Sequence, residues 1–155
     1  MAFYQSAESI LIQASAEKIY EALTDWRQRT QWRPGLTIQW EGSDQAHVNQ
    51  VVRFQVGGFP PSRFKYRIAG LEPSRRIYME YTGWPLRGRS AIEITASEPE
   101  GSGCQVAFHW MKVEPVGFWA KLYFTLGLGM ADHRRQTLKT LGFLKTYLEK
   151  DPRKA

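Results

Sequence analysis

A chain of 155 residues, 43% hydrophobic and 14% aromatic, has the composition of one globular domain with a sizeable core, which excludes a disordered or fibrous protein. Its formal net charge of +6 is scattered along the chain rather than gathered into a basic arm, so no nucleic-acid partner is indicated. The single cysteine, Cys104, excludes an intramolecular disulfide and any Cys/His zinc spacing.

Neither end of the chain carries a recognisable targeting or membrane segment. The N-terminus has no basic stretch followed by an apolar one, so no signal peptide is predicted. The longest apolar segment, residues 116–129, contains Lys121 and is too short to span a bilayer. We therefore expect one domain over residues 1–155 that is cytoplasmic and not stably inserted in a membrane.

The first elements are a strand and two short helices. Residues 6–14 alternate weakly between apolar and polar positions, which predicts a strand. Ser15 is an N-cap residue type and predicts a helix running to about Thr24. Asp25 caps a second short helix with the sequence "WRQRTQW", and Pro34-Gly35 stops it.

Six later segments alternate in the same way and are separated by short runs of turn residues. Short connections favour antiparallel pairing of neighbours in the chain. The predicted strands are residues 36–42, 49–57, 62–72, 75–83, 87–98 and 104–114.

Alternation predicts that one face of this sheet is apolar throughout and must be covered. His109 falls on the opposite, polar face and is interpreted as an ordinary surface histidine. The predicted inward residues are Val52, Phe54, Val56, Phe64, Tyr66, Ile68, Ile77, Met79, Tyr81, Ile92, Ile94, Val106, Phe108 and Trp110.

The cover is predicted at the C-terminus. Residues 130–150 form a helix of roughly 20 residues, about 30 Å long, which suffices to lie across the sheet. Its apolar stripe is Leu138, Leu141, Leu144 and Leu148. The fold class is therefore α+β, with a curved antiparallel sheet gripping one long C-terminal helix.

This order of elements resembles the START-like superfamily, in particular its bacterial branch of polyketide cyclase/dehydrase and lipid-transport proteins. The segments "ILIQASAEKIYEALTDWRQRTQW" and "GFWAKLYFTLGLGMADHRRQTLKTLGFLKTYLE" carry the resemblance. It implies the helix-grip (START-like) fold, in which the two short helices close one end of a cavity between the sheet and the long helix. It implies less about activity, because this fold hosts binders, transfer proteins and enzymes.

The cavity so implied is expected to be lined with rings. Trp26 is either a plug or part of the cavity rim, and Trp32, beside the Pro34-Gly35 break, is assigned to the rim. The predicted ligand-binding residues are Trp32, Phe54, Phe64, Tyr66, Met79, Tyr81, Trp84, Ile92, Phe108, Trp110, Met130, His133, Arg134, Thr137 and Leu141.

Arg134 is the unusual member of this set, because helical spacing places it within the leucine stripe. A guanidinium there either snorkels to solvent near the start of the helix or has a polar partner. We expect that partner to be cavity water with Tyr66 or Tyr81, or the acidic head of a bound ligand.

No catalytic or metal-binding constellation is predicted. His47, His109 and His133 have no partner at a metal-ligand spacing, and the two-His, one-carboxylate iron pattern of some superfamily members is absent. No phosphate-binding loop or nucleophile elbow occurs either. Neither a metal nor another cofactor is expected.

Three functions remain open. Binding or carriage of a small hydrophobic ligand, lipid or polyketide-like, by a monomer or homodimer is the leading one. The second is an aromatase/cyclase-like enzyme, in which Tyr66, Tyr81, His133 or Arg134 transfers protons or stabilises an enolate. The third is an interaction module of the kind that assists a heat-shock chaperone. In the binder, glycine-rich residues 116–129 are predicted to be a mobile element that controls access.

Overall fold

A computed structural model of the chain describes residues 3–57, 62–83, 85–96 and 105–150, without the side chains of residues 62 and 105–108. Three predictions lie outside the described residues. They are the turn at 58–61, the end of the sixth strand with the turn that follows it at 97–104, and the site residue Trp84.

Seven strands and four helices make up the described part of the chain. They are β1 (Tyr4–Ile12), α1 (Ala16–Thr24), α2 (Trp26–Trp32), β2 (Leu36–Trp40), β3 (Val51–Val56), β4 (Ser62–Glu72), β5 (Arg76–Tyr81), β6 (Leu86–Ala96), β7 (Gln105–Pro115), α3 (Phe118–Thr125) and α4 (Leu128–Glu149).

The strands form one curved antiparallel sheet in the order β1-β7-β6-β5-β4-β3-β2. Neighbours in the chain pair with each other, except that β1 pairs with the last strand, β7. The concave apolar face holds the core, and α4 lies against it. The predicted α+β helix-grip fold is confirmed.

The predicted face of β7 is wrong. His109 pairs with the inward-facing Ile92, while Trp110 lies between Ala7 and Ala91 on the opposite face. The cause is that β7 is apolar on both faces, since Met111 and Val113 are buried on the inner side. The alternation of apolar and polar residues therefore could not show which face of β7 points toward the core. The side chains of Val106 and Phe108, predicted inward, lie outside the description.

The two short helices are capped as predicted and close one end of the fold. Ser15 accepts a hydrogen bond from the Lys18 amide at 3.2 Å, and Asp25 accepts one from the Gln28 amide at 3.1 Å. Trp32 is buried, and its Nε1 donates to the Ala22 carbonyl at 2.9 Å. Trp32 is thus part of the plug between α1 and α2, not the rim, because its one polar atom is used inside the helical pair.

The buried face of α4 differs from the predicted leucine stripe by one residue. Leu141, Leu144 and Leu148 are buried as predicted, but Thr137 joins them and Leu138 is 43% exposed. Positions 137, 141, 144 and 148 follow the helical repeat, whereas Leu138 is turned about 100° away. No helix among the described residues is long and apolar enough to cross a bilayer.

Gln50 anchors α2 through buried hydrogen bonds. Its Oε1 accepts from Trp26 Nε1 at 2.9 Å, and its Nε2 donates to the carbonyls of Glu41 at 2.8 Å and Ser43 at 2.9 Å. Trp26 is fully buried by this arrangement and belongs to the plug.

Replacing Gln50 with leucine should therefore destabilise the fold. The change leaves the indole N–H and two carbonyls without partners, so we expect Gln50→Leu to lower the free energy of unfolding by about 2–4 kcal/mol. Urea denaturation measures the loss. Gln39→Leu, at an exposed position of β2, is the matched control with an expected change within about 0.5 kcal/mol. Equal stabilities of the two variants would contradict this account of the α2 anchor.

Candidate functional site

A cavity of about 750 Å³ lies between the concave face of the sheet and helices α2, α3 and α4. Its wall is mostly apolar and contains aromatic rings from β3, β4 and β5. The predicted site residues that line it are Phe54, Phe64, Tyr66, Met79, Tyr81, Ile92, His133, Thr137 and Leu141. The sequence therefore predicted much of this wall, while ligand contact by these residues stays a prediction.

Four predicted site residues do not line the cavity: Trp32, Trp110, Met130 and Arg134. Trp32 lies in the plug and Trp110 on the other face of the sheet. Met130 packs at the edge of the core. Trp84 and the side chain of Phe108 lie outside the description.

Arg134 binds a carboxylate of the sheet, contrary to expectation. Its Nε lies 2.8 Å from Glu8 Oε1 on β1, and the Arg134 side chain is 67% exposed while that of Glu8 is 16% exposed. The sequence concealed this pair because the inward positions of β1 include Ser6 and Glu8, so the strand alternates only weakly. Arg134 thus joins α4 to β1 and needs neither cavity water nor a ligand head.

Two arginines that were not predicted line the cavity instead: Arg29 of α2, and Arg33, the residue that ends this helix. Arg33 is 3% exposed and fully engaged: Nε donates to Thr140 Oγ1, Nη2 to Gln136 Oε1, and Nη1 to the Pro34 carbonyl. Burial, and secondarily the charge of Arg29, lowers the pKa of Arg33 from its ordinary value. Arg33 therefore ties the end of α2 to α4.

Arg29 has far weaker contacts. Its Nη1 lies 3.4 Å from the Leu23 carbonyl and 3.5 Å from Tyr66 Oη, and its buried Nε has no hydrogen-bond partner among the described residues. The guanidinium lies 5.1 Å from the centre of the Phe54 ring. A signal was present in the sequence, since positions 26, 29 and 33 share one face of a helix.

The pair His109 and His133 is the second polar feature of the wall. Their ring centroids are 6.0 Å apart, and His133 Nε2 lies 3.2 Å from Thr137 Oγ1. Burial lowers the pKa of His109 to about 3 and that of His133 to about 4, so both imidazoles are neutral near pH 7. The interpretation of His109 as a surface histidine is wrong, because β7 turns it inward.

Tyr66 and Tyr81 complete the polar wall and remain protonated. Burial raises the pKa of both phenols above the ordinary value. The wall thus offers phenolic donors, neutral imidazoles and cationic Arg29, which can hold a ligand oxygen or anion. Among the described residues, no group of three or more His, Cys, Asp or Glu side chains could hold a metal ion.

The neutral histidines make stability depend on pH. Below about pH 6.5 His109 and His133 become protonated in the unfolded chain but stay neutral in the folded protein. Protonation therefore favours the unfolded chain, and the free energy of unfolding falls as pH decreases from 6.5 to about 4. We expect His109→Gln to flatten this decline, measured by urea denaturation at a series of pH values. His47→Gln, at an exposed loop position, should leave it as steep as in the wild type. An unchanged pH dependence in His109→Gln would contradict the buried, neutral state.

Comparison with known proteins supports the fold. No curated protein matches the sequence significantly. Norcoclaurine synthase from Thalictrum flavum, solved with dopamine and hydroxybenzaldehyde, is similar over 96% of this chain and 88% of its own, with a TM-score of 0.71 and 11% identity. The Aha1 dimer from Colwellia psychrerythraea is similar over 94% and 96%, with a TM-score of 0.64 and 20% identity.

A third similar structure is the di-domain ARO/CYC BexL from the BE-7585A biosynthetic pathway, with a TM-score of 0.68 and 14% identity. The likeness covers 96% of this chain and 48% of BexL. At these identities the likenesses show the fold alone. Residues 5–139 match the family described as polyketide cyclase / dehydrase and lipid transport. Since that match spans most of the sequence, the chain belongs to this family.

Proposed function

We propose that the protein binds and carries a small, largely apolar molecule, lipid or polyketide-like, in the cavity between its sheet and α4. The observation that carries the proposal is the cavity itself. Its volume of about 750 Å³ lies within the range of roughly 300–1,000 Å³ typical of ligand pockets. Apolar walls hold water poorly, so an apolar occupant gains free energy by leaving water for this space.

Access to the cavity is proposed to occur beside α3. Trp119, Leu122, Tyr123 and Leu126 line the cavity and also have exposed surface, Trp119 to 74%. Gly117 and Gly127 lie at the two ends of α3 and have φ angles of +91° and +80°, a backbone conformation that residues other than glycine rarely adopt. The helix therefore sits as a separate apolar cover between two positions suited to backbone rotation.

An aromatase/cyclase-like enzyme is the second candidate. The observation in its favour is the convergence of Tyr66, Tyr81, His109 and His133 on one cavity. The lowered pKa of both imidazoles makes them poor proton acceptors near pH 7, which favours the binder.

An interaction module that assists a chaperone would use exposed α3, but it would not need the open cavity. A monomer and a homodimer are both compatible with the proposed binding.

Filling the cavity should weaken binding. We expect the neutral dye Nile red to bind saturably with increased fluorescence, and Ile92→Trp, which projects an indole from β6 into the cavity, to weaken binding at least about tenfold. Thr95→Trp adds the same side chain at an exposed position of β6 and should bind like the wild type. Equal binding by the two variants would place the dye outside the cavity.

Occupancy should also protect α3. We expect amide hydrogen exchange over residues 118–125 to be faster than over 137–148 in the free protein and to slow when Nile red is bound. The physical reason is that an occupant supplies apolar contacts to side chains such as Trp119 and Leu122. Exchange over 118–125 that is already as slow as over 137–148 would argue against control of access by α3.

A further inference from the structure

We propose that Arg29 is the anion-binding position of the cavity and that the ligand class is a monocarboxylate with an apolar body. This inference rests on the proposed function and adds the charge and orientation of the ligand. Arg29 of α2 lines the cavity and is partly buried, and its buried Nε has no hydrogen-bond partner among the described residues.

The hydrogen-bonding capacity of Arg29 is mostly unused. A guanidinium has five N–H donors. Among the described residues, the only hydrogen bonds of Arg29 are the two long ones from Nη1 to the Leu23 carbonyl and Tyr66 Oη, and its buried Nε has no partner there. Burying donors without acceptors opposes folding, so such a group is expected where a ligand supplies the acceptor.

The neighbouring arginine is the internal comparison. Arg33, four residues after Arg29 at the C-cap of α2, lines the same cavity and donates to three oxygens at 2.6–2.9 Å. The fold therefore provides close hydrogen-bond acceptors for the guanidinium of Arg33, whereas that of Arg29 faces the cavity with weak contacts. Of the two guanidinium groups, that of Arg29 therefore has more free N–H donors to offer a ligand.

The charges along the wall favour an anion. Four arginines line the cavity within the described part of the chain, against a single carboxylate, Asp132. Asp132 is paired with Arg135, so it does not neutralise Arg29. No salt bridge to Arg29 or Arg33 is present among the described residues, and the two histidines that line the cavity are neutral near pH 7. An anion entering the cavity thus meets an uncompensated positive potential.

The immediate surroundings favour a carboxylate of charge −1. Tyr66 Oη lies beside Arg29 Nη1, and its phenol stays protonated, so it can donate to the same group. The planar fork of Arg29 suits two carboxylate oxygens. The apolar body would then extend along the rings of Phe54, Phe64 and Tyr81. One available guanidinium among apolar rings does not compensate the second charge of a dianion.

The test compares two ligands of equal chain length, decanoate and decanol, by calorimetric titration of the intact protein at about pH 8, where the acid is ionised. We expect wild-type protein to bind decanoate at least about tenfold more tightly, as charge-assisted hydrogen bonds would provide. Arg29→Met should bind decanol like the wild type and lose the preference. Arg27 is an exposed arginine of the same helix and pairs with Asp44, so Arg27→Met should keep the preference for decanoate.

Arg29→Gln, which has donors but no charge, is measured in parallel and should also lose the preference. Equal wild-type affinity for decanoate and decanol would overturn the anion position while leaving apolar ligand binding intact. Retention of the preference by Arg29→Met or Arg29→Gln would also overturn it. Unfolding of both variants would show that the fold requires Arg29, against the proposal. If neither ligand bound to wild-type protein, both the anion position and the proposed function would fail.

Discussion

One helix cannot cover a seven-stranded sheet, and this mismatch determines the rest of the structure. Seven strands spaced about 4.8 Å apart are about 30 Å wide, whereas a helix with its side chains is about 10 Å across. The contacts of α4 lie toward one edge: Lys145 Nζ donates to the Leu11 carbonyl at 2.7 Å, and the Gln13 amide donates to Glu149 Oε1 at 2.8 Å. The inner faces of β3 to β6 are left partly uncovered, and the cavity is that uncovered region.

The same mismatch explains where polar groups occur in the wall. Since α4 lies near β1, the short helix α2 must close the far end of the cavity, and it does so with arginines rather than leucines. Arg33 reaches across to Thr140 and Gln136 of α4, which offsets the cost of burying its charge. Arg29 makes no hydrogen bond to α4 within the described part of the chain, and its acceptors there are the Leu23 carbonyl and Tyr66 Oη at 3.4 and 3.5 Å. The unpaired guanidinium is thus a consequence of helix placement.

The sequence predicted the faces of β3 to β6 because charged residues such as Arg53, Lys65 and Glu80 mark the outer side of those strands. It failed at β7, whose two faces are both apolar. For β1 it predicted only a weakly alternating strand, and Glu8, which faces inward, was not expected as the partner of Arg134. On α4 the error was one position, because Leu138 and Thr137 are adjacent and polarity alone favoured the leucine. Arg29 and Arg33 were missed because polarity assigned them to solvent. Charged residues identify the outer face of a strand where they are exposed to solvent. Where tertiary contacts place a charged residue on the inner face, the sequence pattern predicts the wrong face.

The neutral state of the two imidazoles links the charge of a ligand to the chemistry that the cavity could support. His133, with its pKa lowered to about 4, is deprotonated near pH 7 but accepts a proton weakly, and the raised pKa values of Tyr66 and Tyr81 make them weak acids. An anion bound near the imidazoles would favour their charged form and raise their pKa toward the working pH. Under the proposed binding function, the wall would then acquire a proton donor when its occupant is an acid. Under the proposed anion position, the chemistry of this cavity therefore depends on the charge of its ligand as much as on the protein.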